Sequence, residues 1–215
     1  ETLLPEFSIA KLGDAFENES VAYAMTWYHP PGSLSGFNSL KAIFSMGAGV
    51  DHLFRDPHLP AVPTARVVDP DLTKRMTEYV VLHALSIMRQ TRRYRDQQQQ
   101  KLWHDDDHQP AAEDVRVGIM GMGVLGQDAA EKLSLIGFDV AGWSRSPKSI
   151  PGITLFAGPH ELPQFLARTD ILIVLLPLTP ETRGIINAKL LKGLARDGRV
   201  SAPSLINAGR GGLQK

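Results

Sequence analysis

The stretch Val115–Lys148, VRVGIMGMGVLGQDAAEKLSLIGFDVAGWSRSPK, predicts a βαβ unit. Its first six residues, 115–120, are mostly apolar, as in a buried parallel strand. A helical pattern follows, and Gly137 stands where a helix C-terminus favours glycine. The apolar run Phe138–Trp143 then predicts the second strand. The whole chain is therefore organised around a parallel α/β sheet.

The turn between this strand and helix reads G-x-G-x-x-G, with glycines at Gly121, Gly123 and Gly126. In such a turn the first glycine permits the tight bend, and the second lets the backbone approach a pyrophosphate. The third lets helix and strand pack closely, and the helix N-terminus offers N–H groups and positive dipole to the anion. The pattern predicts a dinucleotide site; a plain strand–helix turn without a ligand is the alternative.

The end of the second strand indicates which dinucleotide is preferred. NAD-preferring sites carry Asp or Glu about 20 residues beyond the glycines, where it accepts a hydrogen bond from the ribose 2′-OH. This chain has WSRSPK at 143–148, with no carboxylate. Arg145 with Ser144, Ser146 and Lys148 would suit a 2′-phosphate. The turn favours NADP(H); NAD(H) and a merely solvated basic turn are the alternatives.

Composition excludes several classes of partner. The 215 residues hold 23 Lys and Arg against 23 Asp and Glu, which argues against an electrostatic nucleic-acid or membrane partner. There is no cysteine, so we expect neither disulfides nor thiol catalysis. No apolar run approaches about 18 residues and no basic signal-peptide segment begins the sequence. We expect a soluble, cytoplasmic protein.

Residues 1–70 predict a small parallel-sheet domain, and Asp69-Pro70 marks its end. Short strand-like runs are separated by Gly, Pro and Asn turns: Phe7–Leu12, Val21–Trp27, Leu40–Met46 and Ala65–Val68. The first run begins almost at residue 1, so we expect residues upstream. The remainder, 71–215, is assigned to the dinucleotide-binding domain.

A glycine turn in this first domain has features of an anion site. SMGAGVD at 45–51 follows the third strand-like run and opens a predicted helix. Successive backbone N–H groups there would suit a carboxylate, although an ordinary strand–helix turn is the alternative. Trp27 ends the preceding strand and would either wall the same cleft or simply pack.

The dinucleotide domain continues with alternating helices and strands. Helical spacing begins at Leu72, with Asp71 as a candidate N-cap, and a polar helix ends near Trp103. HDDDH at 104–108 carries metal-binding residue types, but we interpret it as a solvated loop and expect no metal. Further elements are a strand at 154–156, a helix at 158–168, a strand at 170–176, a helix at 186–194 and a strand at 204–207.

Two segments then reach the edge of the sheet where such folds bind ligands. They are Leu176–Thr182 and Ala208–Gly212, and the second contains Arg210 between glycines. Such an arginine would bind a carboxylate through two hydrogen bonds, or would serve structure alone.

Together these motifs resemble the D-isomer-specific 2-hydroxyacid dehydrogenases, and most closely the glyoxylate/hydroxypyruvate reductase branch. The resemblance rests on these segments: Gly47–Asp51, Thr77-Glu78, Gly121–Gly126, Trp143–Arg145, Leu176–Gly184 and Ile206–Gly211. It implies an α/β fold in which a doubly wound Rossmann domain is inserted into a flavodoxin-like substrate domain.

The resemblance also implies roles for single residues. Arg210 would be the catalytic arginine, which polarises the substrate carbonyl and contacts the cofactor. The substrate would be held by Trp27, Gly47, Ala48, Gly49 and Val50. The cofactor would be held by Gly121, Gly123, Val124, Leu125, Gly126, Ser144, Arg145, Ser146, Lys148, Leu176, Pro177, Thr182 and Ala208.

The implied activity is NADPH-dependent reduction of small 2-oxo acids such as glyoxylate or hydroxypyruvate, by a homodimer. The family also uses a glutamate and a histidine beyond the arginine, so we expect the chain to be a fragment lacking them. One alternative is a non-catalytic dinucleotide sensor like the related C-terminal-binding corepressors. Another is a nucleotide-binding α/β protein of different chemistry.

Overall fold

The computed structural model describes residues 7–104, 109–209 and 211–215. It divides into two compact units, Glu1–Asp69 and Pro70–Lys215. Within the described residues, no helix combines the length and apolar composition that crossing a membrane requires.

The first unit is built on a three-stranded parallel sheet. Its strands, in sheet order, are β1 (Tyr23–Thr26), β2 (Ala42–Ser45) and β3 (Thr64–Arg66). Alternate residues of β1 and β2 are buried, so that one face of the sheet packs on a small apolar core around Ile43 and Leu53.

Two expectations for this unit are wrong. No strand forms at Phe7–Leu12, where Ile9 is 91 % exposed. An alternation of apolar and polar residues does not by itself stabilise a strand that has no neighbouring strand to pair with. No helix follows the 45–51 glycine turn either; the chain makes successive turns instead. Pro57 explains this, since it disfavours helical backbone at Asp56 and leaves no room for a stable helix.

Asp56 joins two turns of the first unit. Its carboxylate accepts hydrogen bonds from His29 Nε2 at 3.1 Å, Gly32 N at 2.9 Å and His58 N at 2.9 Å. Burial opposes ionisation of this carboxyl, but the two backbone amides and the His29 ring outweigh it and hold its pKa below the usual range. The turn that follows Trp27 is thereby fixed to the turn before β3.

The second unit confirms the predicted doubly wound α/β fold. Its parallel sheet has the order β6-β5-β4-β7-β8. The strands are β4 (Arg116–Met120), β5 (Asp139–Ser144), β6 (Thr154–Ala157), β7 (Ile171–Val174) and β8 (Ser204–Asn207). The helices are α1 (Pro70–Met88), α2 (Thr91–Gln99), α3 (Val124–Ile136), α4 (Gly158–Ala167) and α5 (Ala188–Lys192).

Apolar cores cover both faces of this sheet. One core joins α1 and α3 to the sheet through residues such as Val80, Leu133 and Ile119. The other joins α4 and α5 through residues such as Phe165, Leu190 and Leu172. Both faces of β7 are therefore buried, which explains its uninterrupted apolar sequence ILIV.

The direction of winding reverses at β4. From there the chain builds β5 and β6 on one side and then β7 and β8 on the other. In open α/β sheets the crevice at such a reversal, at the carboxyl ends of the strands, is where ligands bind. The glycine turn after β4 and the loop after β7 both leave the sheet at this edge.

The polar helix α2 ends at Gln99 rather than near Trp103, and two other helix boundaries differ from expectation for local reasons. Helix α1 begins at Pro70 rather than after Asp71, because proline is well suited to a first helical position, where its missing N–H costs nothing. Helix α5 begins only at Ala188, because the Asn187 side chain caps it by accepting from Leu190 N at 3.0 Å.

An ion pair between Arg116 and Asp170 stabilises the edge of the sheet opposite the glycine turn, where β4 and β7 begin. The fully buried Asp170 carboxylate accepts from Arg116 N at 2.9 Å, Nε at 3.2 Å and Nη2 at 2.8 Å. The hydrogen bond to Asp170 raises the pKa of Arg116. The same Nη2 also reaches the exposed Asp197 at 3.0 Å.

Replacing Asp170 by alanine should destabilise the second unit by about 3 kcal/mol, because it leaves the Arg116 guanidinium without its buried partner. This value is at the lower end for buried pairs, since the Arg116 side chain remains 25 % exposed. Denaturant unfolding measures the loss. Asp197→Ala is the control: it removes an exposed partner of the same guanidinium, and should cost far less. An equal loss of unfolding free energy in the two variants would contradict the stabilising role of the buried Asp170 carboxylate.

Candidate functional site

The three glycines of the β4–α3 turn are required for three different reasons. Gly121 has φ +107°, and a Cβ there would lie 2.8 Å from the Leu175 carbonyl carbon. A Cβ on Gly126 would overlap the carbonyl oxygen of Gly121. Gly123 has an ordinary φ of −82°, and a Cβ there would meet nothing within 4 Å. Two glycines therefore allow the chain to pack on itself, while the third faces open space.

The N-terminus of α3 is available to an anion. Gly123 occupies the N-cap position, and no side chain caps the first turn. Val124, the first helical residue, is 56 % exposed and Leu125 is partly buried. The N–H groups and dipole of this 13-residue helix thus point toward the open side of Gly123. This arrangement fits the pyrophosphate of a dinucleotide.

Met122, between the first two glycines, is held by its side chain and by its carbonyl. The side chain is buried against Gly142, where a Cβ would lie 2.5 Å from Met122 Sδ. The carbonyl oxygen accepts from Gln127 Nε2 at 3.2 Å and from Lys148 Nζ at 2.6 Å. The glycine turn is therefore fixed before any ligand arrives, and an ammonium group lies beside it.

The polar side chains of the basic turn after β5 differ in their exposure and in their hydrogen bonds. Ser144 is buried, and its hydroxyl donates to Ser146 O at 2.7 Å. Arg145, Ser146 and Lys148 are exposed. The Lys148 bond to Met122 places that ammonium between the basic turn and the glycine turn.

An acidic residue from the β7 loop faces this turn. The Thr179 hydroxyl, the residue's own backbone N–H and the charge of Arg145 hold the pKa of Glu181 below its usual range, although desolvation opposes them. The charge of Arg145, in the basic turn, makes the smallest of these contributions to the pKa of Glu181.

The loop after β7 is held together by its own side chains. Thr182 Oγ1 donates to Pro177 O at 2.6 Å and accepts from Thr179 N at 2.8 Å. Leu176 packs into the core beneath, and Ala208 N donates to Val174 O at 3.1 Å beyond β8. The residues of this edge that the resemblance assigns to the cofactor, Leu176, Pro177, Thr182 and Ala208, thus stand on hydrogen-bonded or packed segments. Arg210 lies outside the described residues.

The glycine turn of the first unit is also partly organised. Gly47 N donates to Ser45 Oγ at 3.2 Å, and the Ser45 hydroxyl lies 3.4 Å from His52 Nε2. Trp27 is 50 % exposed and stacks on Tyr28, with ring centroids 6.3 Å apart. Trp27 therefore does not serve core packing alone.

The residues that the structure describes include no group of three or more His, Asp or Glu side chains able to hold a metal ion. Four residues of the 104–108 segment, 105–108, lie outside them.

The residue patterns did not reveal the roles of Met122, Gly142 and Gln127. A glycine inside a strand often marks the close approach of another group, and Gly142 in the middle of β5 carried that signal. Nothing in the local sequence indicated that the group would be the Met122 side chain.

Comparison with known proteins gives consistent matches. Residues 81–215 match the family described as D-isomer specific 2-hydroxyacid dehydrogenase, NAD binding domain. The glyoxylate/hydroxypyruvate reductase A of Yersinia enterocolitica is 42 % identical over 202 residues, which cover 91 % of this chain and 62 % of that protein. That of Serratia proteamaculans is 40 % identical over 88 % of this chain and 60 % of its own length. The chain thus spans about three fifths of these relatives.

Solved structures agree with these matches. The NADPH-dependent glyoxylate/hydroxypyruvate reductase of Sinorhizobium meliloti, in complex with NADP and sulfate, is 51 % identical with a TM-score of 0.86, over 91 % of this chain and 61 % of that one. A D-isomer specific 2-hydroxyacid dehydrogenase of Xanthobacter autotrophicus, in complex with NADPH and MES, is 39 % identical with a TM-score of 0.87, over 97 % and 64 %. These relatives give the corepressor-like alternative no support.

Alanine substitutions in the glycine turn should separate binding from folding. Gly123→Ala should leave the melting temperature nearly unchanged, because its φ suits alanine and the space is open, yet weaken dinucleotide binding by at least about tenfold. Gly126→Ala should lower the melting temperature by several degrees, because the new methyl overlaps the Gly121 carbonyl. Thermal melts and cofactor titration measure both. Unweakened binding by Gly123→Ala would show that the open space is not where a dinucleotide lies.

Proposed function

This chain belongs to the D-isomer specific 2-hydroxyacid dehydrogenase family, as its motifs predicted, and we propose that its protein is an NADPH-dependent reductase of small 2-oxo acids. Glyoxylate and hydroxypyruvate are the proposed substrates. The single observation that carries the proposal is the exposed basic turn beside a preformed dinucleotide turn, where NAD-preferring sites have a carboxylate. The names of the relatives support the substrate class.

The open α3 N-terminus supplies the proposed pyrophosphate site, through the amides of Val124 and Leu125. Arg145 is the proposed principal ligand of the 2′-phosphate, since its exposed guanidinium offers a fork of donors. Lys148 can keep its bond to Met122 and still donate, because an ammonium has three N–H groups. Ser144 has a single hydroxyl proton, so it would first have to leave Ser146.

In the first unit, the turn after β2 is the proposed substrate-carboxylate site. Gly47 N already donates to Ser45, which leaves the amides of Ala48, Gly49 and Val50 as the proposed donors. Trp27, exposed and stacked on Tyr28, is proposed to shape the pocket for a small substrate.

Bound NADPH supplies a hydride to the carbonyl carbon of the substrate. Arg210 is proposed to bind the substrate and polarise its carbonyl, because a guanidinium stabilises the negative charge that develops on that oxygen. Arginine stays charged at any ordinary pH, so it does not supply the proton that completes the 2-hydroxy acid. By the family resemblance that proton comes from a histidine, which a glutamate orients.

Homodimerisation and a cytoplasmic location stay predictions. Helix α1 presents Tyr79 and Leu82 to solvent, at 43 % and 60 % exposure, and these apolar side chains are proposed to contact a second copy. Light scattering on the whole protein gives its mass, and a monomeric mass at micromolar concentration would contradict the dimer.

The whole protein should oxidise NADPH when given glyoxylate or hydroxypyruvate, as followed by loss of nicotinamide absorbance. Arg210→Lys should lose at least about 2 kcal/mol of transition-state stabilisation, roughly 30-fold in kcat/KM, because a point charge cannot replace the fork. Near-normal turnover by this variant would remove Arg210 from the mechanism. Absence of turnover with any small 2-oxo acid would overturn the proposed function.

Arg145→Ala should weaken NADPH binding by roughly ten- to a hundredfold and leave NADH binding unchanged, because only NADPH carries the 2′-phosphate. Calorimetric titration of each cofactor measures this, and the loss should shrink at high salt. Arg92→Ala on α2, also exposed, is the matched control and should change neither affinity. Equal affinity of the unaltered protein for the two cofactors would contradict the assignment.

A further inference from the structure

Trp143 hydrogen-bonds both to the glycine turn and to the start of α4. It is the next-to-last residue of β5, and its side chain is buried at the ligand edge of the sheet. Its carbonyl oxygen accepts from Gly121 N at 2.9 Å, which ties β5 to the glycine turn. Its indole Nε1 donates to Gly158 O at 2.8 Å, which ties β5 to the first residue of α4.

Gly158 in turn lies against the basic turn. It has φ +67°, and a Cβ built on it would lie 3.8 Å from the backbone carbonyl oxygen of Arg145. Only Ser144 separates Trp143 from Arg145 along the chain. The start of α4 therefore lies beside the backbone that carries Arg145, and the indole hydrogen bond joins the start of α4 to β5.

We propose that Trp143 is a positioning residue for NADPH selectivity, since its bond to Gly158 sets the direction in which the Arg145 turn leaves the sheet. The proposal rests on the assignment of the 2′-phosphate to Arg145. Selectivity of this kind requires a guanidinium held in a fixed direction, because a charge-assisted hydrogen bond depends on geometry as well as on distance.

The two hydrogen bonds of Trp143 support different parts of the proposed cofactor site. The bond to Gly121 comes from the main chain, so any residue at position 143 retains it. The bond to Gly158 comes from the side chain, and Gly158 is the residue that lies beside the Arg145 carbonyl. Removing the indole N–H should therefore disturb the 2′-phosphate site and leave the pyrophosphate site intact. A residue that only filled the core would affect both cofactors alike when replaced.

Two variants test this role by different routes. Trp143→Phe keeps an aromatic ring but removes the donor. Gly158→Ala keeps Trp143 but strains the backbone that accepts its bond, because φ +67° disfavours alanine. Gly152→Ala is the matched control: its φ is +75°, and a Cβ there would meet nothing within 4 Å.

We expect the first two variants to bind NADPH roughly fivefold to tenfold more weakly and NADH within twofold of the unaltered protein. The same ratio should appear with 2′,5′-ADP against 5′-AMP, which lack the nicotinamide and differ only in the 2′-phosphate. Gly152→Ala should leave both ratios unchanged. Titration calorimetry gives the affinities, and thermal melts show that each variant is folded.

Equal weakening of both cofactors, or unchanged ratios in folded variants, would overturn the proposal. If Trp143→Phe and Gly158→Ala fail to fold while Gly152→Ala folds, the indole hydrogen bond serves stability alone. That outcome would overturn the proposal as well. If the unaltered protein itself does not prefer NADPH or 2′,5′-ADP, the proposed function fails in its cofactor. If it does prefer them and both variants keep that preference, only the role of Trp143 fails.

Discussion

The second unit depends on one close approach, between the start of α3 and the turn that precedes it. The Cα of Gly126 lies so near the Gly121 carbonyl that no side chain fits between them. Gly121 is itself pressed against the backbone of Leu175, the residue that follows β7. The turn can therefore take only one path, and that path leaves the first amides of α3 uncapped beside open space. The same steric constraint that packs the helix thus leaves a helix N-terminus that suits an anion.

The buried ion pair and the proposed ligand site lie at opposite edges of the sheet. At the edge where β4 and β7 begin, Asp170 is fully buried and its carboxylate accepts three hydrogen bonds from Arg116. At the edge where these strands end, helix amides and cationic side chains remain open to solvent. A buried charge without its partner is costly, whereas exposed donors stay hydrated until a ligand replaces the water. The fold can therefore keep unsatisfied donors ready only at its solvent-facing edge.

Under the proposed function, the preference for NADPH depends on the hydrogen bonds that fix the basic turn as well as on the charge of that turn. Lys148 is bonded to the glycine turn, Ser144 to its own turn, and Arg145 faces solvent within the field of Glu181. A dinucleotide that bears a 2′-phosphate would gain most from the exposed guanidinium of Arg145. Buried contacts beneath the turn then decide where that guanidinium points.

The sequence by itself determined the parallel α/β fold, the glycine turn and the absence of a carboxylate at the end of β5. These features depend on residue type and local spacing: apolar runs make buried strands, and glycine alone tolerates the Gly121 and Gly126 positions. For Arg210 and the 47–50 turn the residue pattern left carboxylate binding and a purely structural role both open, and the roles that family resemblance assigned to them stay proposals. Tertiary structure alone decided that Phe7–Leu12 is not a strand, that Lys148 binds the Met122 carbonyl, and that the Trp143 indole binds Gly158. Such bonds join residues 15 or more positions apart, and they form only after separate strands have paired, so no local pattern encodes them.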